Sequence, residues 1–230
     1  MSKSPRAGED SFPWGADGNV VWQRGFGDGP AGEAAPPAKI DGRVARSKRT
    51  RAAVMDALIA LLEEGNFKPP AKVIAERSGV STRSVFQHFP DLETLFTAAV
   101  AYGVDRYSPM VQPIAADQPV KGRINALVRQ RFALFEKGGN VYWAGQIATP
   151  LSDTLSQTFA RVEYALRVQI EVAFQPELAG LRKPQRDARV ARLAAFSGFH
   201  AWYALRRVEG LGESAAKAAM VDAFTALLPE

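Results

Sequence analysis

The chain has 230 residues, 47% of them hydrophobic, which is enough for one large domain or for a small head joined to a larger body. Its 29 Lys and Arg residues against 24 Asp and Glu residues give a formal charge of +5, which is compatible with nucleic acid or another anionic surface. The absence of cysteine excludes disulfides, thiolate metal sites and cysteine nucleophiles, and His88 and His200 lie far apart, so we expect no metal and no cofactor.

Residues 1–42 are rich in Gly, Pro and Ala. Such a segment buries too little apolar surface on folding to offset the conformational entropy that it would lose. We predict a flexible N-terminal extension, while its aromatic residues leave open a segment that packs on the body or on a partner. The N-terminus has no apolar signal region, and no apolar run reaches about 18 residues. The sequence therefore predicts a cytoplasmic protein without a transmembrane helix.

Helical patterns begin at Arg43. Apolar residues at Val54, Leu58, Leu61 and Leu62 form a stripe with helical spacing, and Gly65 is placed to end this helix. Segment 43–51 at its start contains five cations and no acid: Arg43, Arg46, Lys48, Arg49 and Arg51. Such a run is usually a solvated helix face, but beside a DNA-binding surface it would add affinity that is sensitive to salt and blind to sequence.

The stretch "IAERSGVSTRSVFQHF", residues 74–89, predicts two short helices joined by a turn at Gly79. Isolated helices of this length are marginal in water, so packing must hold them, and this arrangement is the helix-turn-helix signature. Ser81 is the expected N-cap of the second helix, and Val85 and Phe89 are its expected core residues. Its remaining side chains suit the major groove of DNA, namely Thr82, Arg83, Phe86, Gln87 and His88.

The rest of the chain also has helical patterns, and no alternation of apolar and polar residues is long enough for a strand. Asp91 is the expected N-cap of a helix over 92–107. A following helix is expected to end at Gly138-Gly139, and another is expected to run unbroken over 187–209 before a last helix over 214–228. We therefore predict an all-α protein.

The pieces "VMDALIALLEEGNF", "VIAERSGVS", "TRSVFQHF" and "PDLETLFTAAV", within residues 46–105, resemble the tetracycline-repressor (TetR) family of transcriptional regulators in order and spacing. The resemblance implies a three-helix DNA-binding head over 43–91 and a helical body over 92–230 for ligand binding and dimerisation, with 92–107 as the connecting helix. It also implies a dimer that binds a near-palindromic operator of double-stranded DNA, usually to repress, and a small-molecule effector that releases it.

The resemblance, together with the helix pattern, gives this set of expected DNA-binding residues: Arg46, Lys48, Arg49, Ser81, Thr82, Arg83, Ser84, Phe86, Gln87 and His88. Three places depart from the family's pattern: Phe86 stands where a tyrosine is usual, Leu92 stands where a lysine is frequent, and Pro69-Pro70 stand where a Thr-Thr pair is common. Each departure removes one hydrogen-bonding or charged group that would reach the DNA backbone.

Aromatic side chains are concentrated in the middle of the body, where a mostly apolar cavity with a few polar anchors would suit an aromatic or lipophilic effector. The candidate lining residues are Arg131, Phe135, Tyr142, Trp143, Gln146, Phe159 and Glu163, although core packing explains any single aromatic equally well. The wide apolar faces of the last two helices predict a homodimer interface with these residues: Phe196, Phe199, Trp202, Val221 and Phe224.

Two other classes of protein stay open. The first is a helical protein–protein adaptor with degenerate DNA binding. The departures from the family's pattern at Phe86, Leu92 and Pro69-Pro70 favour this alternative. The second is an enzyme, for which the sequence offers little: it contains no G-x-S-x-G, H-E-x-x-H or P-loop motif, and no acid–base pair is evident. The expected class is therefore a regulator and not an enzyme.

Overall fold

The structure, a computed structural model, describes residues 42–228 except the side chain of Leu151, and all the regular structure in that range is helical. The helices are α1 (Gly42–Glu63), α2 (Ala71–Ser78), α3 (Thr82–His88), α4 (Leu92–Tyr107), α5 (Val120–Ala148), α6 (Asp153–Ala173), α7 (Gln175–Leu178), α8 (Lys183–Ser197), α9 (Phe199–Tyr203) and α10 (Glu213–Leu227). None of these helices is both long enough and apolar enough to cross a membrane. The extension predicted for 1–42 lies outside the described residues, apart from Gly42.

The described chain divides into two compact units. The first unit contains residues 42–107 and 131–163, and the second contains residues 108–130 and 164–228. The predicted head (43–91) and connecting helix (92–107) thus belong to the same unit, together with the C-terminal part of α5 and the N-terminal part of α6.

Local signals explain the helix-turn-helix in the first unit. Gly79 ends α2 in the left-handed conformation with φ of 70°, which glycine adopts without the steric penalty of a side chain. Ser81 begins α3, because its hydroxyl accepts a hydrogen bond from the Ser84 amide at 3.1 Å. Ile74, Val85 and Phe89 are at most 1% exposed, so packing holds two helices that are too short to be stable alone.

Polar side chains join α4 to α1. Asp91 caps the start of α4 by accepting from the Thr94 amide at 2.6 Å, as the sequence predicted. Near the other end of the helix, Arg106 pairs with Asp56 at 3.3 Å. The Tyr107 hydroxyl donates to Glu63, and burial together with this carboxylate raises the pKa of Tyr107. The end of α4 is therefore linked to α1 by an ion pair and a half-buried hydrogen bond.

The prediction that a helix ends at Gly138-Gly139 is wrong, since α5 continues through both glycines to Ala148. Both glycines are buried. A Cβ atom on Gly138 would lie 3.2 Å from Cδ2 of Tyr107, so the missing side chain lets the Tyr107 ring pack against the helix backbone. Close packing therefore offsets the helix-interior cost of a glycine, about 1 kcal/mol relative to alanine.

Gly145 has an even closer neighbour, and Gly145→Ala is expected to destabilise the protein by about 1–3 kcal/mol through overpacking. A Cβ atom there would lie 2.4 Å from Cζ of Phe159 and 2.9 Å from Cγ1 of Val100. Gly122 on the same helix has nothing within 4 Å of such an atom, so Gly122→Ala should stabilise by up to about 1 kcal/mol. Urea unfolding of both variants checks the opposite signs, and a neutral Gly145→Ala would contradict the packing described here.

In the second unit, Arg123 is only 4% exposed and anchors α5 to α7. Its guanidinium donates to both carboxylate oxygens of Glu177 at 2.6 and 2.7 Å, and to the carbonyl of Ala173 at 2.6 Å. It also lies 5.6 Å from the centre of the Phe174 ring. The paired charge is thereby hydrogen-bonded on several sides, which is the condition for burying it.

The prediction of one unbroken helix over 187–209 is also wrong. Gly198 is extended, with φ −77° and ψ 172°, and it separates α8 from α9. One turn of π-helix, Ala204–Val208, follows α9. Phe199 and Trp202, which come directly after this break, are buried at 2% and 1% exposure. The break therefore coincides with the point where two large rings enter the core of the chain's own second unit.

Candidate nucleic-acid interface and effector site

The helix α3 divides into a core face and a solvent face. Val85 and Phe89 are fully buried. On the opposite side Thr82, Arg83 and Gln87 are exposed, and the Phe86 ring is 45% exposed. Arg83 and Gln87 are four residues apart and therefore neighbours on the helix surface. The exposed face thus offers a guanidinium, an amide and a hydroxyl, which are the groups that bind base edges and phosphates.

Three of the expected DNA-binding residues are less available. The hydroxyls of Ser81 and Ser84 lie 3.0 Å apart, and that of Ser81 also accepts the Ser84 amide, so this pair holds the start of α3. His88 is half-buried at the last position of the helix. The placement of Ser81, Ser84 and His88 favours a structural role, in which they position Thr82 and Arg83.

The basic segment lies on the first turns of α1. Arg46, Lys48 and Arg49 are exposed there, as phosphate contacts require. Arg51 differs from them, because its Nη1 donates to the His88 carbonyl at 2.9 Å and its Cζ lies 4.2 Å from the centre of the Phe89 ring. The sequence grouped Arg51 with the other cations, and no local pattern distinguished it from them.

The structure brings three of the predicted effector-site aromatics together in the first unit. The ring of Tyr142 meets that of Phe159 edge to face at 4.9 Å, and that of Phe135 at 6.2 Å. Phe159 packs with Val100 of α4 and with Leu155 in one buried cluster. We call Phe135, Tyr142 and Phe159 the aromatic cluster. Phe135 and Phe159 are at most 4% exposed, so both rings fill the core of the unit.

Polar groups from the same set contact the aromatic cluster at Tyr142. The Tyr142 hydroxyl donates to the Glu163 carboxylate and is also hydrogen-bonded to Gln146. Burial, and then the nearby charge of Glu163, raise the pKa of Tyr142. Arg131 is fully buried, and burial lowers its pKa to about 10 against the opposing effect of Glu163. Trp143 and Gln146, which follow Tyr142 on α5, are half-buried.

The five residues predicted for a dimer interface fall into two groups. Phe199, Trp202 and Phe224 are at most 2% exposed within the single chain, and Phe174 lies 5.8 Å from Phe224. These side chains belong to the chain's own core and have almost no surface left for a partner. Phe196 is 48% exposed and Val221 is half-buried, so these two retain apolar surface on α8 and α10.

The arrangement of helices is similar to that in solved structures of transcriptional regulators. A TetR-family transcriptional regulator from Streptomyces coelicolor is 19% identical, with a TM-score of 0.65, and the match covers 78% of this chain and 80% of that one. A transcriptional regulator from Rhodococcus sp. Rha1 is 20% identical, with a TM-score of 0.60, over 79% of this chain and 95% of that one. No protein-family model and no curated protein matches the sequence. The chain therefore has the fold of the TetR-family transcriptional regulators.

Proposed function

We propose that this protein is a DNA-binding transcriptional regulator that represses by binding a near-palindromic operator as a homodimer. The observation that carries the proposal is the exposed polar face of α3, presented by a glycine turn and a serine cap. The basic start of α1 belongs to the same unit. A helix of this kind fits the major groove, and exposed cations on a neighbouring helix bind phosphates.

Loss of the Arg83 side chain is the direct test of this face. Arg83→Ala is expected to weaken binding to the operator by about 1–3 kcal/mol and to relax the base preference at one position, because a bidentate arginine–guanine contact contributes that much discrimination. An operator selected from random duplexes by the wild-type protein, followed by fluorescence anisotropy on operator and scrambled DNA, provides the measurement. Arg129→Ala removes another exposed arginine, on α5, and should change neither affinity.

The outcome for the wild-type protein decides between the classes of function. Selection of a recurrent two-fold sequence, bound with salt-dependent affinity, supports the regulator. Failure to enrich any sequence would contradict it and leave the protein–protein adaptor, for which the exposed apolar residues Phe86 and Leu92 would supply contact surface. We propose no enzymatic activity.

We propose that a small-molecule effector binds at the aromatic cluster and its polar neighbours, with Arg131 and Glu163 as charged anchors and Trp143 and Gln146 at the edge. Contacts of α4 support this assignment. Val100 and Phe96 of α4 pack with the aromatic cluster, while Arg106 and Tyr107, near the other end of α4, bind α1. A ligand that displaces Phe159 or Tyr142 would therefore move a helix that is joined to the DNA-binding face. Mass spectrometry of ligand retained through purification, and titration of it into the protein–DNA complex, test the proposal.

For the dimer we propose α8 and α10 as the interface helices, with Phe196 and Val221 as the apolar contacts. The exposed ring of Phe196 on α8 and the half-buried Val221 on α10 support this choice, since burial of apolar surface stabilises a dimer. A two-fold dimer also matches two operator half-sites. Sedimentation of the protein with and without its DNA measures the stoichiometry.

A further inference from the structure

Arg51 connects α1 to the end of α3 by two contacts. Its Nη1 donates to the carbonyl of His88, the last residue of α3, at 2.9 Å. Its guanidinium carbon lies 4.2 Å above the centre of the Phe89 ring, which is fully buried. Phe89 ends α3 in an extended conformation while its amide still bonds to the Val85 carbonyl at 3.0 Å.

Both contacts are of kinds that stabilise a helix end. The last carbonyls of a helix have no partner within it, and a cation near them also interacts favourably with the negative end of the helix dipole. Stacking of a guanidinium on an aromatic face adds a cation–π attraction. The Phe89 ring is buried in the core, so the guanidinium that stacks on it has a fixed position. From this position the guanidinium orients the His88 carbonyl.

The short length of α3 makes this end important. The helix has seven residues, and Ser81 fixes its start by accepting the Ser84 amide. With one end held by the cap, the direction of the axis depends on the other end. Loss of the Arg51 contacts would let the C-terminal turn fray, and the exposed side chains of Arg83 and Gln87 would lose their common orientation.

We infer that Arg51 is a positioning residue for sequence recognition, which orients α3 through the His88 carbonyl and the Phe89 ring and does not act as one of the phosphate-binding cations of α1. This inference rests on the DNA-binding function proposed above. It assigns opposite roles to two arginines in one basic run: Arg49 supplies affinity for any DNA, and Arg51 supplies discrimination between sequences.

The matched pair Arg51→Gln and Arg49→Gln tests this assignment, because both variants remove one positive charge from the same helix. Affinities for the selected operator and for a scrambled duplex are measured between 50 and 200 mM salt. We expect Arg51→Gln to lose at least tenfold on the operator and little on the scrambled duplex, with the salt slope unchanged. Arg49→Gln should weaken both equally and lower the slope by about 0.9. Equal losses and a reduced slope for Arg51→Gln would show a phosphate contact and overturn the inference.

A double-mutant cycle with Phe89→Leu separates positioning from a general loss of stability. All variants are measured at a temperature where melting curves show them fully folded. If Arg51 acts through the ring, the losses of operator selectivity in the two single variants will not add in the double variant. Additive losses would overturn the inference.

Hydrogen exchange without DNA keeps this inference separate from the proposed function. Arg51→Gln should accelerate exchange of the Phe89 amide, which bonds to Val85, and leave the Val80 amide, which bonds to Ala75, unchanged. Unchanged exchange at Phe89 would contradict the inference even if the wild-type protein binds an operator. Conversely, a wild-type protein that selects no DNA would contradict the regulator and leave this exchange result standing.

Discussion

Replacing Arg123 by alanine is expected to lower the free energy of unfolding by about 3–5 kcal/mol, because it leaves a partly buried carboxylate without its bidentate partner. The carboxylate is that of Glu177, whose side chain is 17% exposed. The Ala173 carbonyl would lose a donor in the same step. Chemical denaturation followed by circular dichroism measures the change. Lys183→Ala is the control: it breaks an exposed pair with Asp187 and should cost less than about 1 kcal/mol.

The same pair gives the variant a distinct pH profile. Hydrogen bonds from Arg123 hold the pKa of Glu177 below its usual value, so the folded state favours the ionised form. The resulting stabilisation is fully present above the unfolded pKa of about 4.3 and is lost as the pH falls through the lower folded pKa. The difference in stability between wild type and Arg123→Ala should therefore shrink on acidification below about pH 4. A difference that stays constant down to pH 2 would contradict the assignment.

Replacing Arg131 by methionine is expected to have a smaller effect and to leave the free energy of unfolding within about 2 kcal/mol of wild type, because the desolvation cost of the buried charge is removed together with its interactions. The Arg131 side chain is fully buried, and this burial lowers its pKa to about 10. The negative charge of Glu163 acts in the opposite direction but does not outweigh the burial. An apolar side chain of similar volume avoids that desolvation cost. Thermal melts measure the change, and a loss of more than about 2 kcal/mol would contradict this account.

Arg131→Met also has a functional readout. A buried charge that costs stability is the kind of residue that proteins keep for function. Compounds that raise the melting temperature of the wild-type protein, and release it from its operator, should lose both effects on Arg131→Met. Retention of both effects would show that Arg131 is no anchor for the effector. Arg129 lies two residues before Arg131 on α5 and is exposed, so Arg129→Met serves as the control.

The head was largely predictable from the sequence because its signals are local. The stripe of Val54, Leu58 and Leu61, the turn glycine Gly79 and the cap Ser81 each act within a few residues, and the structure places all of them as expected. Gly138-Gly139 and Gly198 show the limit of such signals. In the sequence, both the pair Gly138-Gly139 and the single Gly198 are signals for the end of a helix. In the structure the Tyr107 ring packs against Gly138 and α5 continues, whereas Gly198 ends α8.

Among the site residues, the periodicity of α3 predicted which of its side chains are exposed. It could not predict contacts between residues that are distant in the sequence. Arg51 and His88 are 37 positions apart, so composition could describe Arg51 only as one cation among several. Phe199 and Trp202 lie on an apolar face in the sequence, and periodicity alone does not tell whether such a face meets the same chain or a second copy. The tertiary contacts place Arg51 against the end of α3 and bury Phe199 and Trp202 within the single chain.

The contribution of residues 131–163 to the first unit bears on how such proteins diversify. Val141 comes within 3.3 Å of the position a Cβ would take on Gly103, Tyr107 packs on Gly138, and Val100 packs with Phe159. Residues 42–107 transferred alone would leave these surfaces of α4 exposed. A chimaera should therefore fold when residues 131–163 are transferred together with residues 42–107, so the transferable unit is discontinuous in the sequence.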